Sequence, residues 1–362
     1  MKLISQLNKL KLLYNFFLFL ALINIFFSTE KSHAKTFSIN DIEISTPFEI
    51  NFNKNQIIDQ GFVEAFNELI LSIVQSKDQI KLKNTSINQI KGMIETFSIK
   101  EEKFIDEIYY LTLNVSFNKK NIFDLLESKN IFPSLPLKKN FFFIPVFVDE
   151  NKNRVSMLSE NKIFTKWNLN NKKYSLLNYI LPTQDLDDFR LINRNINNLE
   201  NYDFKEIINK YNIDDYIIMI VFKNNNKVRV FNKIFFNQKN NLKILNFNNI
   251  NFNNESEIIK FIDKLKLVYE DFWKSQNQIN TSVKLPLNIS IDNTDNIKIN
   301  KFEKILSDLD FIYNFNIYKF DNKNNFYKII FNGTPDKFLE LMSNQNYDFE
   351  IEKKIWVLNE KP

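Results

Sequence analysis

Three aspartates in close succession, Asp185, Asp187 and Asp188, follow Leu181-Pro182 and form the densest carboxylate group in the chain's loops. Carboxylates so spaced are ligands for a hard cation such as Ca²⁺, but the spacing is not that of an EF-hand and no glycine stands where such a loop must turn. The same acids suit the first turn of a helix, where unsatisfied N–H groups favour negative charge. A helix N-terminus is therefore the expected role, with cation binding as the alternative. The adjacent pairs Glu101-Glu102 and Asp214-Asp215 bring glycosidase chemistry to mind, which needs two carboxyls at a fixed distance across a cleft. Sequence neighbours do not set that distance, and solvated turns account for them in a chain that is 25% charged.

Other chemistries fall to composition. The chain has no cysteine and a single histidine, His33. Lys2, Lys9 and Lys11 precede an apolar run from Leu12 to Phe27, and Ser32-His33-Ala34 offers small residues on either side of a spacer. A basic region, an apolar core and a small-x-small site make a signal peptide, with cleavage expected between Ala34 and Lys35. An uncleaved anchor is the alternative, but the sixteen apolar-run residues rise only ~24 Å as a helix, short of the ~30 Å hydrocarbon core. The chain is thus expected in the periplasm or secreted, with no membrane span after cleavage. The lone histidine leaves with the leader, which excludes Ser-His-Asp and Cys-His nucleophiles, Cys/His zinc sites, histidine-held haem and thiol redox chemistry from the mature part.

Cleavage changes the Lys+Arg to Asp+Glu balance from 48 against 43 to 44 against 42, a net charge too small to imply a polyanionic partner. Asn, Lys, Ile and Phe dominate, all residues with codons writable in A and T, so genome bias explains runs such as Asn224-Asn225-Asn226-Lys227 as loops. Only Gly61, Gly92 and Gly333 are glycines, which rules out the Gly-rich loops that cradle dinucleotides and nucleoside triphosphates. No cofactor is expected.

Hydrophobic periodicity then places the elements. Residues 35–138 read as a first α/β domain: an extended stretch over 37–52, a helix through Ile58, Phe62, Phe66, Leu69 and Ile73, a short helix over 86–95, a half-buried strand alternating through Leu111, Leu113, Val115 and Phe117, and a helix over 120–129. Residues 139–280 read as a mixed-sheet α/β domain. Its first strand, 141–148, is apolar on both faces, further strands are expected over 216–222, 227–236 and 242–247, and helices near 204–211 and over 255–274. Residues 281–360 follow the order βαββαβ of a ferredoxin-like unit, with Thr334 capping its second helix, Pro335 in the first turn and a last strand over 349–358. The fold class is α+β.

The strand Ile108-Tyr109-Tyr110-Leu111-Thr112-Leu113-Asn114-Val115-Ser116-Phe117 with its following Ile122-Phe123-Asp124-Leu125-Leu126, the Phe143-Ile144-Pro145-Val146 strand, and Leu181-Pro182-Thr183-Gln184-Asp185-Leu186-Asp187-Asp188 together resemble a domain-of-unknown-function family of exported Gram-negative bacterial proteins. The middle domain is similar to the N-terminal α/β domain of TolB-like envelope proteins and to domains of outer-membrane assembly lipoproteins. The resemblance implies an assembly or interaction role and brings no catalytic residues.

Tyr327 and Phe331 on one strand of a βαββαβ unit invite comparison with an RNA-recognition motif, but Lys328-Ile329-Ile330-Phe331-Asn332-Gly333 lacks its basic-Gly-aromatic pattern. No nucleic-acid partner is expected. The segment Phe261 to Lys274 mixes acids into its aromatic and basic residues and reads as a core helix rather than a membrane-surface one. Two functions remain: a non-enzymatic accessory or interaction module that binds an envelope protein or cell-wall component, and a carboxylate-dependent hydrolase of an envelope glycan or peptide.

Overall fold

The computed structural model describes residues 35–360 apart from Asn51, Asn170, Gln184, Glu352 and Lys353. Ala34 and the leader lie outside the described residues, and Lys35 is the first of them. Helix and strand are nearly equal, at 35% and 37%, in a mixed α+β fold. From Thr36 onward the chain forms one compact unit, with three sheets among the described residues.

In the first sheet β1 (Thr36–Pro47) runs antiparallel to a later strand and faces helix α1 (Lys54–Ile73). Asn53 caps α1 by accepting from the backbone N–H groups of Asn55 and Gln56. The buried residues Ile57, Phe62, Phe66, Leu69 and Ile73 line one face of it, and each fully buried side chain of this kind contributes about 1.5–3 kcal/mol. A short helix α2 (Ser76–Gln79) leads to α3 (Ile87–Met93), closed by a reciprocal Ser86–Gln89 capping box. Strands β2 (Ile94–Ile105) and β3 (Ile108–Asn118) complete the order β1-β3-β2, and α4 (Lys119–Ser128) follows. On β3 the expected alternation holds, with Leu111, Leu113, Val115 and Phe117 buried.

The second sheet has the order β5-β4-β7-β8-β9, with β6 also paired to β4. Its elements are β4 (Lys139–Asp149), β5 (Arg154–Ser156), α5 (Lys162–Lys166), β6 (Leu177–Ile180), α6 (Leu186–Arg194), α7 (Lys205–Ile208), β7 (Tyr216–Asn224), β8 (Lys227–Phe236), β9 (Lys239–Asn248) and α8 (Glu255–Gln276). Strands β6, β4 and β7 are parallel, whereas β8 and β9 return antiparallel. Both faces of β4 and β7 are covered: Phe141, Phe143, Met219 and Val221 pack against α8, and Phe142, Ile144, Ile218 and Ile220 belong to the cluster around Ile192 and Ile207 on the other side.

Pro145 sits inside β4, where a proline is normally excluded for want of an N–H. Here β6 pairs only with residues 139–142 and β5 only with 147–149, so the ladder is interrupted at Pro145 on that edge. The amide of Asn161 closes the gap, Nδ2 donating to the Pro145 carbonyl at 3.2 Å.

In the third sheet β10 (Leu285–Asp292), α9 (Asn296–Asp308), β11 (Ile312–Phe320), β12 (Asn324–Phe331) and α10 (Pro335–Ser343) follow the expected order, and Thr334 accepts from the Lys337 N–H at 3.3 Å. The end of the chain departs from it. Instead of one strand over 349–358 there is a hairpin of β13 (Tyr347–Glu350) and β14 (Trp356–Glu360), and β14 enters the sheet between β10 and β13, parallel to β10. The charged run from Glu350 to Lys354 interrupts the apolar alternation that a continuous strand needs.

Candidate functional site

Asp185, Asp187 and Asp188 stand at the start of a helix, each beside a basic partner. Asp185 is the N-cap of α6, its Oδ1 accepting from the Asp187 N–H at 2.8 Å. The ammonium of Lys210 bridges Asp185 Oδ2 at 2.6 Å and Asp188 Oδ1 at 2.5 Å, while Asp187 turns outward to Arg190 at 3.0 Å. The helix N-terminus thus brings Asp185 and Asp188 together on a lysine. Hydrogen bonding from Lys210, then from the Asp187 backbone, holds the Asp185 carboxyl below its ordinary range, and the two acids raise Lys210. Among the described residues no group of three His, Cys, Asp or Glu is placed to hold a metal ion.

Glu101 and Glu102 are consecutive in β2 and therefore point to opposite faces. Glu102 meets Lys54 at 2.8 Å and the Tyr109 hydroxyl at 2.8 Å, and Glu101 pairs with Lys103. Asp215 is tied to Lys139 at 2.5 Å and to the Asn237 N–H at 3.2 Å, locking the amino ends of β4 and β7. Tyr327 and Phe331 are fully buried under α9 and α10, so they do not form a nucleic-acid platform. On α8, Phe261, Ile262, Leu265, Tyr269 and Trp273 are buried, which makes it a core helix. Among the described residues no helix is long and apolar enough to cross a membrane.

A crevice of about 520 Å³ opens at the opposite end of the middle sheet, outside the carboxyl ends of the parallel strands β4 and β7. Crevices at this position are where open α/β sheets bind ligands, because successive loops diverge there. Phe147 and Phe252 meet edge to face in its wall with ring centroids 4.9 Å apart. Asp149 and Lys223 are register partners at the two strand ends. Leu158, buried and in the left-handed region with φ 54°, turns the chain so that Glu160 and Asn161 reach the same wall. Asn161 then caps α5, Oδ1 accepting from the Ile163 N–H at 2.9 Å.

The charged groups of the crevice differ in how far they are committed. Asp149 accepts from the Lys152 N–H at 3.2 Å and lies 3.9 Å from its ammonium, and Glu160 is held by Arg154 at 2.9 Å. Lys162 donates to the Phe252 carbonyl at 3.1 Å and to Asn253 Oδ1 at 3.3 Å. The side chains of Lys223, Asn225 and Asn226 also line the crevice, and they have no hydrogen-bond partner among the described residues. This set offers ammonium and amide donors beside an aromatic wall, an arrangement suited to hydroxyl, carbonyl or carboxylate groups of a ligand. In the sequence, Asn224 to Lys227 reads as a loop for which codon bias is explanation enough. The rule that ligands bind at the carboxyl ends of parallel strands would have singled it out.

No protein-family model and no curated protein matches this chain. The crystal structure of an uncharacterized protein is similar over 40% of this chain and 95% of that one, at 6% identity and a TM-score of 0.16, a likeness too slight to bear on fold or function.

Proposed function

We propose that this chain is an exported envelope protein that acts by binding rather than by catalysis, and that the crevice at the carboxyl ends of β4 and β7 takes a polar envelope component, a protein segment or a cell-wall glycan or peptide. The basic, apolar and small-x-small regions of the first 34 residues support export, as does the resemblance to exported proteins with TolB-like domains. One observation carries the binding reading: the crevice's two carboxylates, Asp149 and Glu160, are engaged by Lys152 and Arg154, while its Lys223, Asn225 and Asn226 present donors to solvent.

Co-sedimentation of the purified protein with isolated envelope fractions tests this. Retention is expected and should fall at least about tenfold for Lys223→Glu, roughly 1.4 kcal/mol. Absence of retention in every fraction, or retention unaffected by the substitution, counts against the crevice. A hydrolytic reading stands second, because Asp149 and Glu160 share one crevice. Turnover of an envelope glycan or peptide that is lost in Asp149→Asn or Glu160→Gln, with folding intact, would put it first.

A further inference from the structure

Strand β9 is the outermost strand of the middle sheet, and its far side pairs with no described strand. It is also the longest edge strand without a bulge among the described residues, because all ten of its residues keep register with β8, from Lys227↔Asn248 to Phe236↔Lys239. An edge of this kind exposes a row of backbone N–H and C=O groups that template another strand.

Its two faces differ in chemistry. Leu242 and Ile244, 65% and 54% exposed, share the face of Phe231, the register partner of Ile244, on the side away from α8. Lys239, Asn241 and Lys243 alternate with them on the other. From Tyr216 to Asn254 the chain contains Lys223, Lys227, Arg229, Lys233, Lys239 and Lys243 and no acidic residue, in a protein otherwise close to charge balance. Arg229 is paired with Glu200, but Lys227, Lys239 and Lys243 have no ion-pair partner among the described residues.

We propose that the β9 edge is a docking site for an extended acidic segment of another polypeptide, which adds to the sheet as a further strand with apolar and acidic residues in alternation. The backbone ladder supplies affinity, Leu242 and Ile244 meet the apolar side chains, and Lys239 and Lys243 meet the carboxylates. A two-fold pairing of two copies centred on Lys243 sets Lys243 opposite Lys243, a like-charge contact that disfavours a second copy of this chain in that register. This surface is distinct from the crevice, and its test uses no envelope extract, so either can fail alone.

The probes are a labelled decapeptide of alternating valine and glutamate, its valine–lysine counterpart, and inorganic polyphosphate. Fluorescence anisotropy at low salt should show binding of the glutamate peptide at least about tenfold tighter than of the lysine peptide, and amide exchange should slow along residues 239–248. The double variant Lys239→Glu/Lys243→Glu should invert the preference and bind the lysine peptide, a gain that misfolding cannot produce. The proposal is overturned if neither peptide binds, if the double variant keeps the wild-type preference, if binding leaves exchange on β9 unchanged, or if polyphosphate gives the same protection of β9 as the glutamate peptide.

Discussion

The ammonium of Lys274, on α8 of the middle sheet, donates to the Val74 carbonyl at 3.1 Å and to the Leu71 carbonyl, closing the carboxyl end of α1 in the first sheet. Asp271, one turn earlier, accepts from the Ser76 N–H at 2.8 Å. A cation at a helix carboxyl end satisfies carbonyls that have no partner within the helix and complements the dipole. Burial pulls the Lys274 ammonium below its ordinary value, against Glu270 and Asp271, which raise it. Lys274→Met keeps most of the packing and strands the Leu71 carbonyl, while Val74 retains Gln79 Nε2 at 3.1 Å, so it should cost about 1–3 kcal/mol in chemical denaturation. No loss of stability would mean that the sheets are joined by other contacts.

Gly61 marks the closest approach of α1 to the first sheet. A Cβ there would stand 2.4 Å from Leu113 Cδ1 and 2.9 Å from Ile44 Cδ1, whereas one at Gly92 would meet nothing within 4 Å. Gly61→Ala should therefore destabilise by about 1–3 kcal/mol, and Gly92→Ala should be neutral or stabilise by up to about 1 kcal/mol. Thermal melts of the two variants check the contrast in sign.

Elements with strong apolar periodicity were legible in the sequence, such as α8 with Ile258, Ile262 and Leu265 and the alternating β3. Strand β2 was not. It lies at a sheet edge with almost every residue exposed, and Lys100, Glu101, Glu102 and Lys103 erase the alternation that marks a half-buried strand. The split of the last strand was hidden for a related reason, since Phe349, Ile355 and Val357 on either side of a charged run look like one apolar segment. Nor does any spacing announce the crevice: Asp149, Glu160 and Lys223 come from separate segments that meet only because β4 and β7 are parallel neighbours. By contrast, the helix-capping role of Asp185 was readable because an acid before a helix start is a local signal.

Glu270 accepts from the Leu176 N–H at 3.0 and 3.2 Å and from the Leu177 N–H at 3.0 Å, joining α8 to the start of β6. Burial nevertheless pushes its carboxyl above the ordinary 4.5, outweighing those hydrogen bonds. The folded protein thus holds this proton to higher pH than the unfolded chain does. Its contribution is fully present below pH 4.5 and is lost as pH rises through the raised folded value. Stability measured across that window should decline more steeply in the wild type than in Glu270→Gln. Parallel curves would contradict the assignment.

Lys210 neutralises the buried Asp188 from a partly exposed position. Lys210→Met should cost about 2 kcal/mol, between an exposed pair's ~1 and a buried pair's 3–5. Adding Asp188→Asn in the same chain should restore part of it, because the carboxylate left alone is then removed. Since Lys210 already places its charge on one oxygen of Asp185 and one of Asp188, millimolar Ca²⁺ should leave the melting temperature of the wild type unchanged; a rise would reinstate the cation site.

The central claim is that the crevice binds an envelope component without altering it. Its most direct test is mass spectrometry of what the purified protein captures from envelope extract, beside the same component isolated without the protein. An unchanged mass is expected, with a capture that is lost in Lys223→Glu. A shortened glycan or peptide that accumulates with time, and whose formation disappears in a folded Asp149→Asn or Glu160→Gln protein, would contradict it.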